Sequence, residues 1–309
     1  MLCIITLFWV NLGWFLVGVL VFFKILWLKA ILGKNFALSF ANFQELPTEK
    51  IEETLAEPME CVEIYLSIIV PMFNEQNRLP LMLADCQKTI MSTGLKHKNI
   101  EFILVDDGST DATPKVAYSF SQSTNHTVRY IRLLENTGKG AAVKQGALLA
   151  CGEFILFADA DGATPFGQIL SFLHVAEQKR RKGVSKFVLY GIRSFKKRKL
   201  MRILFSKAFR LVNSQILNVH AEDTQCGFKL FSKEAASEIF RNIHLKRWGF
   251  DLEIFQICNM NDIPLVKINV PWEEISGSKL NVLRDSMGMF LDVLLIKICY
   301  ATRLWILEK

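Results

Sequence analysis

Two carboxylates separated by one residue, Asp159 and Asp161, are the groups in this sequence with the clearest potential for chemistry. They follow an apolar run at residues 154–158, which predicts a buried strand. A strand end fixes the backbone, so the two side chains can place hard oxygen ligands around one divalent cation. Mg²⁺ and Mn²⁺ prefer such ligands and commonly share them with a substrate diphosphate. An ordinary Asp-rich turn after a strand is the alternative.

The predicted strand at residues 66–70 is followed by Pro71, Phe73 and Glu75, three residues that could contribute to a nucleotide site. Proline ends the regular strand pattern. The Phe73 ring offers a flat apolar surface for a base, and the Glu75 carboxylate can accept hydrogen bonds from a ribose. The alternative is an ordinary turn at a strand end, with Phe73 in the core.

Asp106 and Asp107 end the next predicted strand, at residues 102–105, and Gly108 follows them. A carboxylate at this place can accept hydrogen bonds from the imino N–H of uracil or from ribose hydroxyls. Aspartates before a glycine also cap turns with their own side chains, so capping of the turn is the alternative at this point.

A glycine-rich segment, residues 136–140 (NTGKG), precedes a predicted helix at residues 141–149. Backbone N–H groups at the start of a helix, together with Lys139, suit an anion such as a phosphate. The segment is not a dinucleotide fingerprint, because Val143 stands where the third glycine is needed, and the sequence contains no P-loop. An ordinary glycine turn with a solvent-exposed lysine is the alternative.

Strand and helix patterns alternate through the middle of the chain, which predicts an α/β fold with a mostly parallel sheet and right-handed crossovers. Ligands in such sheets bind at the carboxyl ends of the strands, where both aspartate pairs lie. The predicted strands are residues 66–70, 102–105, 128–133, 154–157 and 188–191, and the predicted helices are residues 78–91, 113–120 and 141–149.

The composition narrows the class of protein. A hydrophobic content of 51% in 309 residues is too high for a disordered chain. The formal net charge of +7 favours an anionic partner, such as a phosphate, a nucleotide, an anionic lipid or a nucleic acid. The 7 cysteines are scattered without a CxxC pair, so we expect neither a disulfide framework nor a zinc site, and a reducing compartment fits.

The N-terminus predicts a membrane anchor. Residues 1–23 carry no charged side chain, and roughly 20 apolar residues span a bilayer core. The cations Lys24, Lys29 and Lys34 follow the apolar run, whereas a cleaved signal peptide, the alternative, has a basic start. We therefore expect a single transmembrane anchor at residues 1–30, with the rest of the chain in the cytosol, and a linker at residues 31–63.

Two further segments are amphipathic. Residues 193–210 interleave apolar residues with lysines and arginines and contain no acid, which is typical of a helix on anionic headgroups or of a solvated cationic face. Residues 286–309 are apolar but contain Asp292, Lys297 and Arg303, which disfavours a second membrane span. We expect these last residues to form an amphipathic, membrane-associated helix.

Taken in order and spacing, the motifs resemble those of the family-2 glycosyltransferases of the GT-A fold. The later motifs resemble those of the branch that glycosylates polyprenyl phosphates, and the resemblance covers roughly residues 60–285, with a catalytic domain at residues 64–285. One departure is Phe73, where the family more often has tyrosine. The matching segments are PMFNE (71–75), VDDGSTD (105–111), NTGKG (136–140), ADADG (158–162), DTQCGFK (223–229), WGFDLE (248–253) and GSKL (277–280).

The resemblance implies an inverting transfer of glucose from UDP-glucose to dolichyl phosphate, with Mg²⁺ or Mn²⁺ on Asp159 and Asp161, and no nucleic acid partner. It implies catalytic roles for these two aspartates and for Asp223 and Asp251. The acceptor phosphate is expected to meet Arg193, Arg202 and Lys279. The nucleotide sugar is expected to contact Pro71, Phe73, Glu75, Asp106, Asp107, Lys139, Ala158 and Asp159.

The resemblance also implies a location and leaves alternatives. We expect a single-pass protein of the endoplasmic reticulum membrane, in contact with membrane lipids, that serves protein N-glycosylation and faces the cytosol. Transfer of mannose from GDP-mannose is one alternative, because these motifs do not indicate whether the donor nucleotide carries uracil or guanine. A membrane-tethered module that binds nucleotide or lipid without catalysis is the other.

Overall fold

The computed structural model describes residues 51–54, 63–194, 209–211, 213–275 and 282–308 of the chain. Among these residues, every helix is too short or too polar to cross a membrane. Three predictions lie outside the described residues, namely the anchor at residues 1–30, the basic segment from residue 195 to 208 with Arg202, and Lys279.

The described residues form an eight-stranded mixed sheet with the order β1-β4-β3-β2-β5-β7-β6-β8. The pairs β2–β3, β2–β5, β3–β4 and β6–β8 are parallel, whereas β1–β4, β5–β7 and β6–β7 are antiparallel. The predicted mixed, mostly parallel sheet is confirmed. The strands are β1 Ile51–Thr54, β2 Leu66–Met72, β3 Ile100–Asp106, β4 Thr127–Leu133, β5 Phe154–Ala158, β6 Val188–Ser194, β7 Phe228–Ser232 and β8 Leu265–Pro271.

Helices cover both faces of this sheet, because successive side chains of the central strands point to opposite faces. In β2, Ile68 and Val70 enter one core with α1, α2 and α4, and Ile69 enters the other core with α3, α5, α6 and α7. The helices are α1 Leu79–Ser92, α2 Thr113–Ser123, α3 Lys139–Leu149, α4 Ile169–Arg181, α5 Lys233–Arg241, α6 Phe250–Met260 and α7 Val282–Ala301. Short 3₁₀ turns lie at Gly94–His97 and Phe166–Gln168.

Strand β7 lies between β5 and β6 and runs against both. Its first residue, Phe228, stands opposite Ala158, the last residue of β5. Gly227 is thereby placed next to Asp159, whose backbone N–H donates to the Gly227 carbonyl oxygen at 3.0 Å. Since β6 and β8 run parallel to each other and antiparallel to β7, their carboxyl ends reach the same edge of the sheet as those of β2, β3 and β5.

The predicted linker at residues 31–63 contains a strand. Residues Ile51–Thr54 form β1, which pairs with β4 in the register Ile51 opposite Leu133. The segment therefore contains a strand at these four residues, and its role as a linker stays a prediction. The sequence IEET has no strong strand pattern of its own, and the open edge of β4 supplies the hydrogen-bond partners that make it a strand.

The C-terminal helix is present, and one side of it packs on the domain. Val293, Ile296 and Cys299 of α7 are buried in the core that α3, α5 and α6 share. Contact of the segment at residues 286–309 with a membrane stays a prediction.

One cysteine is paired, which the scattered spacing of the cysteines did not predict. Cys151 forms a disulfide. Cys86, Cys226, Cys258 and Cys299 are free and buried. Sequence spacing reveals CxxC pairs, but it does not reveal which cysteines approach each other across a fold.

Candidate active site

Asp159 lies just past the carboxyl end of β5, where its side chain is 31% exposed. Its Oδ1 atom lies 2.5 Å from the Nζ atom of Lys139. Ala158, the buried last residue of β5, fixes the backbone at this point. The carboxylate therefore faces a cation on one side and remains open to solvent on another.

Asp161 stands close enough to Asp159 for the two negative charges to interact. Burial, and then the charge of Asp159, raise the pKa of the Asp161 carboxyl, although the Ala163 N–H donates to its Oδ1 at 3.0 Å. A divalent cation would relieve this repulsion, and two carboxylates are the hard oxygen ligands that Mg²⁺ and Mn²⁺ prefer. The residues present therefore fit such a cation.

A small open pocket adjoins the two aspartates. Among the described residues, no group of three or more His, Cys, Asp or Glu side chains is arranged to hold a metal ion. The pocket is lined by Met82, Asp85, Ala158, Asp159, Asp161, Gly162, Ala163, Thr164, Phe166, Gly227, Phe228 and Trp272.

Lys139 is the first residue of α3 and extends its side chain across the strand ends. Besides Asp159, its ammonium group lies 5.0 Å from the centroid of the Phe157 ring and 5.4 Å from that of Trp248. Burial alone lowers the pKa of Lys139, but the charges of Asp159 and Asp251 outweigh burial and raise it. Lys139 is thus a fixed positive charge at the predicted phosphate site.

Asp107 holds the NTGKG loop to the sheet. Its Oδ1 accepts from the N–H and the hydroxyl of Thr137 at 2.7 and 2.9 Å, and its Oδ2 accepts from the Gly138 N–H at 2.9 Å. Burial raises the pKa of Asp107 to about 6, against these hydrogen bonds and the charge of Arg247. The carboxylate is 3% exposed, so it positions the loop that carries Lys139.

Asp106 is fully buried and bonded to the protein. Its Oδ1 accepts from the Ser109 N–H at 2.9 Å, and its Oδ2 accepts from the Tyr130 hydroxyl at 2.8 Å. The alternative reading, capping of the turn, therefore describes its contacts. Direct contact with a nucleotide, which the resemblance implies, stays a prediction.

The segment after β2 is also held by side chains. Pro71 lies inside β2, past Ile69, the last residue that pairs with β5, so its missing N–H breaks no hydrogen bond to β5. Phe73 is partly buried. Both Glu75 oxygens accept from the Arg78 guanidinium at 2.5 and 2.6 Å, and the charges of Asp159 and Asp161 reach Arg78.

Arg193 and Asp223 form a two-pronged ion pair at the end of β6. The Arg193 Nε and Nη2 atoms donate to Asp223 at 2.7 and 2.8 Å, and the Arg193 backbone N–H donates to the same carboxylate at 3.1 Å. The guanidinium carbon lies 5.5 Å from the centroid of the Trp272 ring. Asp223 thus fixes a cation beside the pocket.

Asp251 is the second residue of α6 and is 2% exposed. The N-cap of that helix is Gly249, so Asp251 does not cap the helix. Its Oδ1 accepts from the Nζ atom of Lys229 at 2.6 Å. Sequence analysis missed Lys229, although it lies in the DTQCGFK motif, because a lysine in a strand is usually exposed.

The segment before α6 is tied to the C-terminus. Glu253 accepts from the backbone N–H groups of His244 and Leu245, at 3.0 and 2.8 Å, and from the Tyr300 hydroxyl at 3.1 Å. Asp292 of α7 accepts from the Gly249 N–H, and burial raises the pKa of its carboxyl to about 7. These contacts join the WGFD segment to α7, and no sequence signal revealed them.

The chain is similar to proteins of one known family. Residues 67–240 match the profile of glycosyl transferase family 2. A dolichyl-phosphate beta-glucosyltransferase of Dictyostelium discoideum is 38% identical over 251 residues, which cover 78% of this chain and 76% of that protein. The Homo sapiens protein of the same name is 36% identical over 275 residues, which cover 84% and 82%.

Solved structures show the same fold. The glucosyl-3-phosphoglycerate synthase of Mycobacterium tuberculosis, in complex with Mn²⁺, UDP and glucosyl-3-phosphoglycerate, superimposes with a TM-score of 0.55 at 16% identity, over 76% of this chain and 80% of that chain. With the family profile and these relatives, the chain belongs to glycosyl transferase family 2 and, within it, to the dolichyl-phosphate β-glucosyltransferases.

Proposed function

We propose that this protein transfers glucose from UDP-glucose to the phosphate of dolichyl phosphate, with inversion at the anomeric carbon. The main observation behind the proposal is that Asp159, Asp161 and Lys139 lie close together at the carboxyl ends of the strands. Membership of a family whose named relatives are dolichyl-phosphate glucosyltransferases supports the choice of sugar and acceptor.

Asp159 and Asp161 serve the donor diphosphate. They would hold Mg²⁺ or Mn²⁺, which when bound neutralises the charge that develops on the leaving UDP. Lys139 adds a fixed positive charge at the same place, because Asp107 anchors the loop before it. Phe73 packs against the base, and Glu75, held by Arg78, accepts hydrogen bonds from the ribose.

The acceptor needs positioning more than it needs a base. A phosphate monoester has a second pKa of roughly 6, so it is mostly dianionic at neutral pH and is already a nucleophile. Arg193, fixed by Asp223, offers a cation near the pocket. An arginine matches phosphate with a planar pair of donors, and Arg202 and Lys279 are the further cations we assign to it.

Asp251 orients the sugar. Its carboxylate lies beside Lys139, whose charge opposes the effect of burial on its pKa. A carboxylate at this place can accept a hydrogen bond from a glucose hydroxyl and hold the anomeric carbon in line with the attacking phosphate. Base catalysis is secondary, since the acceptor is already ionised.

A transfer assay tests the proposal. Full-length protein in membranes is incubated with dolichyl phosphate and labelled UDP-glucose or labelled GDP-mannose, and lipid-linked sugar is extracted and counted. We expect label from UDP-glucose, and removal of divalent metal with a chelator should abolish it. Label from GDP-mannose alone would move the assignment to a mannosyltransferase, and label from neither donor would favour a binding module.

Ligand stabilisation tests the base separately from turnover. A ligand that binds only the folded state raises its stability by mass action. UDP with Mg²⁺ should therefore raise the melting temperature more than GDP with Mg²⁺ does. Equal or greater protection by GDP would contradict the uridine assignment even if the chain were catalytically inactive under assay conditions.

The location is part of the proposal. The apolar N-terminus followed by Lys24, Lys29 and Lys34 supports a single-pass anchor in the endoplasmic reticulum membrane with the domain in the cytosol. Asn125 lies exposed in an Asn-His-Thr sequon. We expect Asn125 to carry no glycan and protease to digest the domain in sealed microsomes, whereas a glycan or protection would reverse the orientation.

A further inference from the structure

A buried lysine that the proposed mechanism does not use lies against Asp251. Lys229, the second residue of β7, is 0% exposed. Its Nζ atom donates to Asp251 Oδ1 at 2.6 Å and to the Cys226 carbonyl oxygen at 2.7 Å. Because Asp251 is 2% exposed, the whole ion pair lies inside the protein.

Stability alone does not account for this pair. Taking two charges out of water is costly even when they meet, and apolar side chains of similar volume are often at least as stabilising. The surroundings of Lys229 are apolar on one side, since its ammonium group lies 5.6 Å from the centroid of the Phe157 ring. A requirement for a fixed carboxylate accounts for the pair better than core packing does.

One oxygen of Asp251 is available to a ligand at the strand ends. Oδ1 is taken by Lys229, whereas Oδ2 accepts no hydrogen bond from the part of the chain that the structure describes. Lys139 lies close enough for its charge to act on Asp251, and the same lysine contacts Asp159. The buried Asp251 carboxylate, with one oxygen bonded to Lys229, is therefore held near the proposed metal ligands.

We propose that Lys229 is a positioning residue for the transfer reaction: it holds Asp251 by one oxygen and leaves the other to accept a hydrogen bond from a hydroxyl of the bound sugar. The inference rests on the proposed function for the identity of that sugar. The Lys229–Asp251 ion pair connects the DTQCGFK and WGFDLE motifs, because the two residues lie 22 positions apart in the sequence and are in contact in the fold.

A double-mutant cycle tests the inference. Lys229→Met, Asp251→Asn and the double variant are compared with wild type for kcat, for KM of UDP-glucose and for UDP affinity with Mg²⁺. We expect each single variant to lower kcat about 100-fold, typical for the loss of one positioned hydrogen bond in a transition state, with KM and UDP affinity within about threefold of wild type. The double variant should be no slower than Asp251→Asn, because residues that act as one unit are not additive.

Two variants keep the test independent of folding. Lys229→Met leaves a buried carboxylate without its partner, and if it does not fold, the double variant, which removes both charges, is compared with Asp251→Asn alone. Lys233→Met is the matched control, since that lysine lies four residues further along and is exposed, and its kcat should equal that of wild type.

The outcomes separate the inference from the proposed function. A Lys229→Met variant with kcat within threefold of wild type, or a double variant more than tenfold slower than Asp251→Asn, would overturn the inference while glucose transfer stands. If wild type transfers no glucose, the proposed function fails, and the same cycle is read on UDP or GDP release from the nucleotide sugar that the wild type turns over.

Discussion

One aspartate pair lies at the end of β3 and another after β5, and the two pairs have different environments. Asp106 and Asp107 are 0% and 3% exposed, and both accept hydrogen bonds from backbone N–H groups of nearby loops. Asp159 is 31% exposed and meets the ammonium group of Lys139. The two pairs look alike in sequence, but the pair at β3 bonds to neighbouring loops, whereas Asp159 of the pair after β5 is open to solvent and to a cation.

The difference lies in what surrounds each pair. The β3 pair is covered by residues of neighbouring elements, Tyr130 of β4 and Thr137 of the NTGKG loop, which use up its oxygens. The β5 pair borders the antiparallel β7, where Gly227 has no side chain to cover it. A carboxylate whose oxygens accept hydrogen bonds from a loop holds that loop, and one that faces a cation and solvent is available to a metal ion.

The largest effect should follow from neutralising the β5 pair. Asp159→Asn or Asp161→Asn should lower transfer activity about 1,000-fold, because the charge stabilisation of the leaving UDP is lost. The melting temperature without metal should not fall for Asp161→Asn, since burial and Asp159 raise the pKa of that carboxyl and its ionisation is unfavourable. Activity near that of wild type at limiting metal would contradict the assignment.

Neutralising the β3 pair should affect stability first. Asp107→Asn replaces an oxygen that accepts from the Gly138 N–H with an NH₂ group, so we expect about 2 kcal/mol of destabilisation from the unpaired donors. Urea unfolding of both proteins measures it. A loss of activity without a loss of stability would show that Asp107 acts on substrate and not on the loop.

The titration of Asp107 predicts the direction in which the stability of the protein changes with pH. The folded-state pKa of about 6 lies above the unfolded value of about 4, so the folded protein holds a proton through this window that the unfolded chain has released. The stability of wild type should therefore fall by roughly 2 kcal/mol relative to Asp107→Asn as the pH rises from 4 to 6.5. Parallel stability curves for the two proteins would refute the raised pKa.

The sequence predicted the first half of the sheet better than the second. Strands β2 to β5 are local apolar runs that alternate with helices, so periodicity was enough to identify them. The place of β7 between β5 and β6 depends on pairing over long distances in the chain, and its strand pattern is interrupted by Lys229. The ion pair of Lys229 with Asp251 could not be predicted for the same reason.

The candidate site was predictable where its chemistry is local. Asp159 and Asp161 are separated by one residue in the sequence and lie close together in the fold. Their spacing, together with the motifs upstream, predicted a metal site. The contacts of Asp106, at the end of β3, depend on Tyr130 of the neighbouring strand β4. Tyr130 stands opposite Leu104 in the register of the two strands, two residues before Asp106. Sequence spacing carries no record of that register.

A glycine substitution on each side sharpens the comparison further. An alanine Cβ at Gly227 would lie 1.9 Å from Asp159 Oδ2, so the carboxylate must move, which should lower activity about tenfold with little loss of stability. Gly108 has a φ of +74°, and its Cβ would lie 2.8 Å from the Glu135 carbonyl carbon, so Gly108→Ala should destabilise by about 1–2 kcal/mol. Thermal unfolding and transfer assays should show that Gly227→Ala mainly lowers activity and that Gly108→Ala mainly lowers stability. Equal effects of the two substitutions on activity and on stability would contradict the distinction between the two aspartate pairs.

The smallest effect should come from the hydroxyl that covers Asp106. Tyr130→Phe removes the donor at 2.8 Å from Asp106 Oδ2 and leaves a buried oxygen short of one partner. Arg132 Nε lies 3.9 Å from the same oxygen and can offset part of the loss, so we expect about 1 kcal/mol of destabilisation, the typical net contribution of one hydrogen bond. Urea unfolding of Tyr130→Phe beside Tyr118→Phe, whose ring is 53% exposed, isolates the hydroxyl from the ring. UDP affinity should be unchanged, because Tyr130→Phe leaves the Asp106 carboxylate and its hydrogen bond from the Ser109 N–H in place. A large drop in UDP affinity with no change in stability would instead place Asp106 on the nucleotide, and the two aspartate pairs would then share one function.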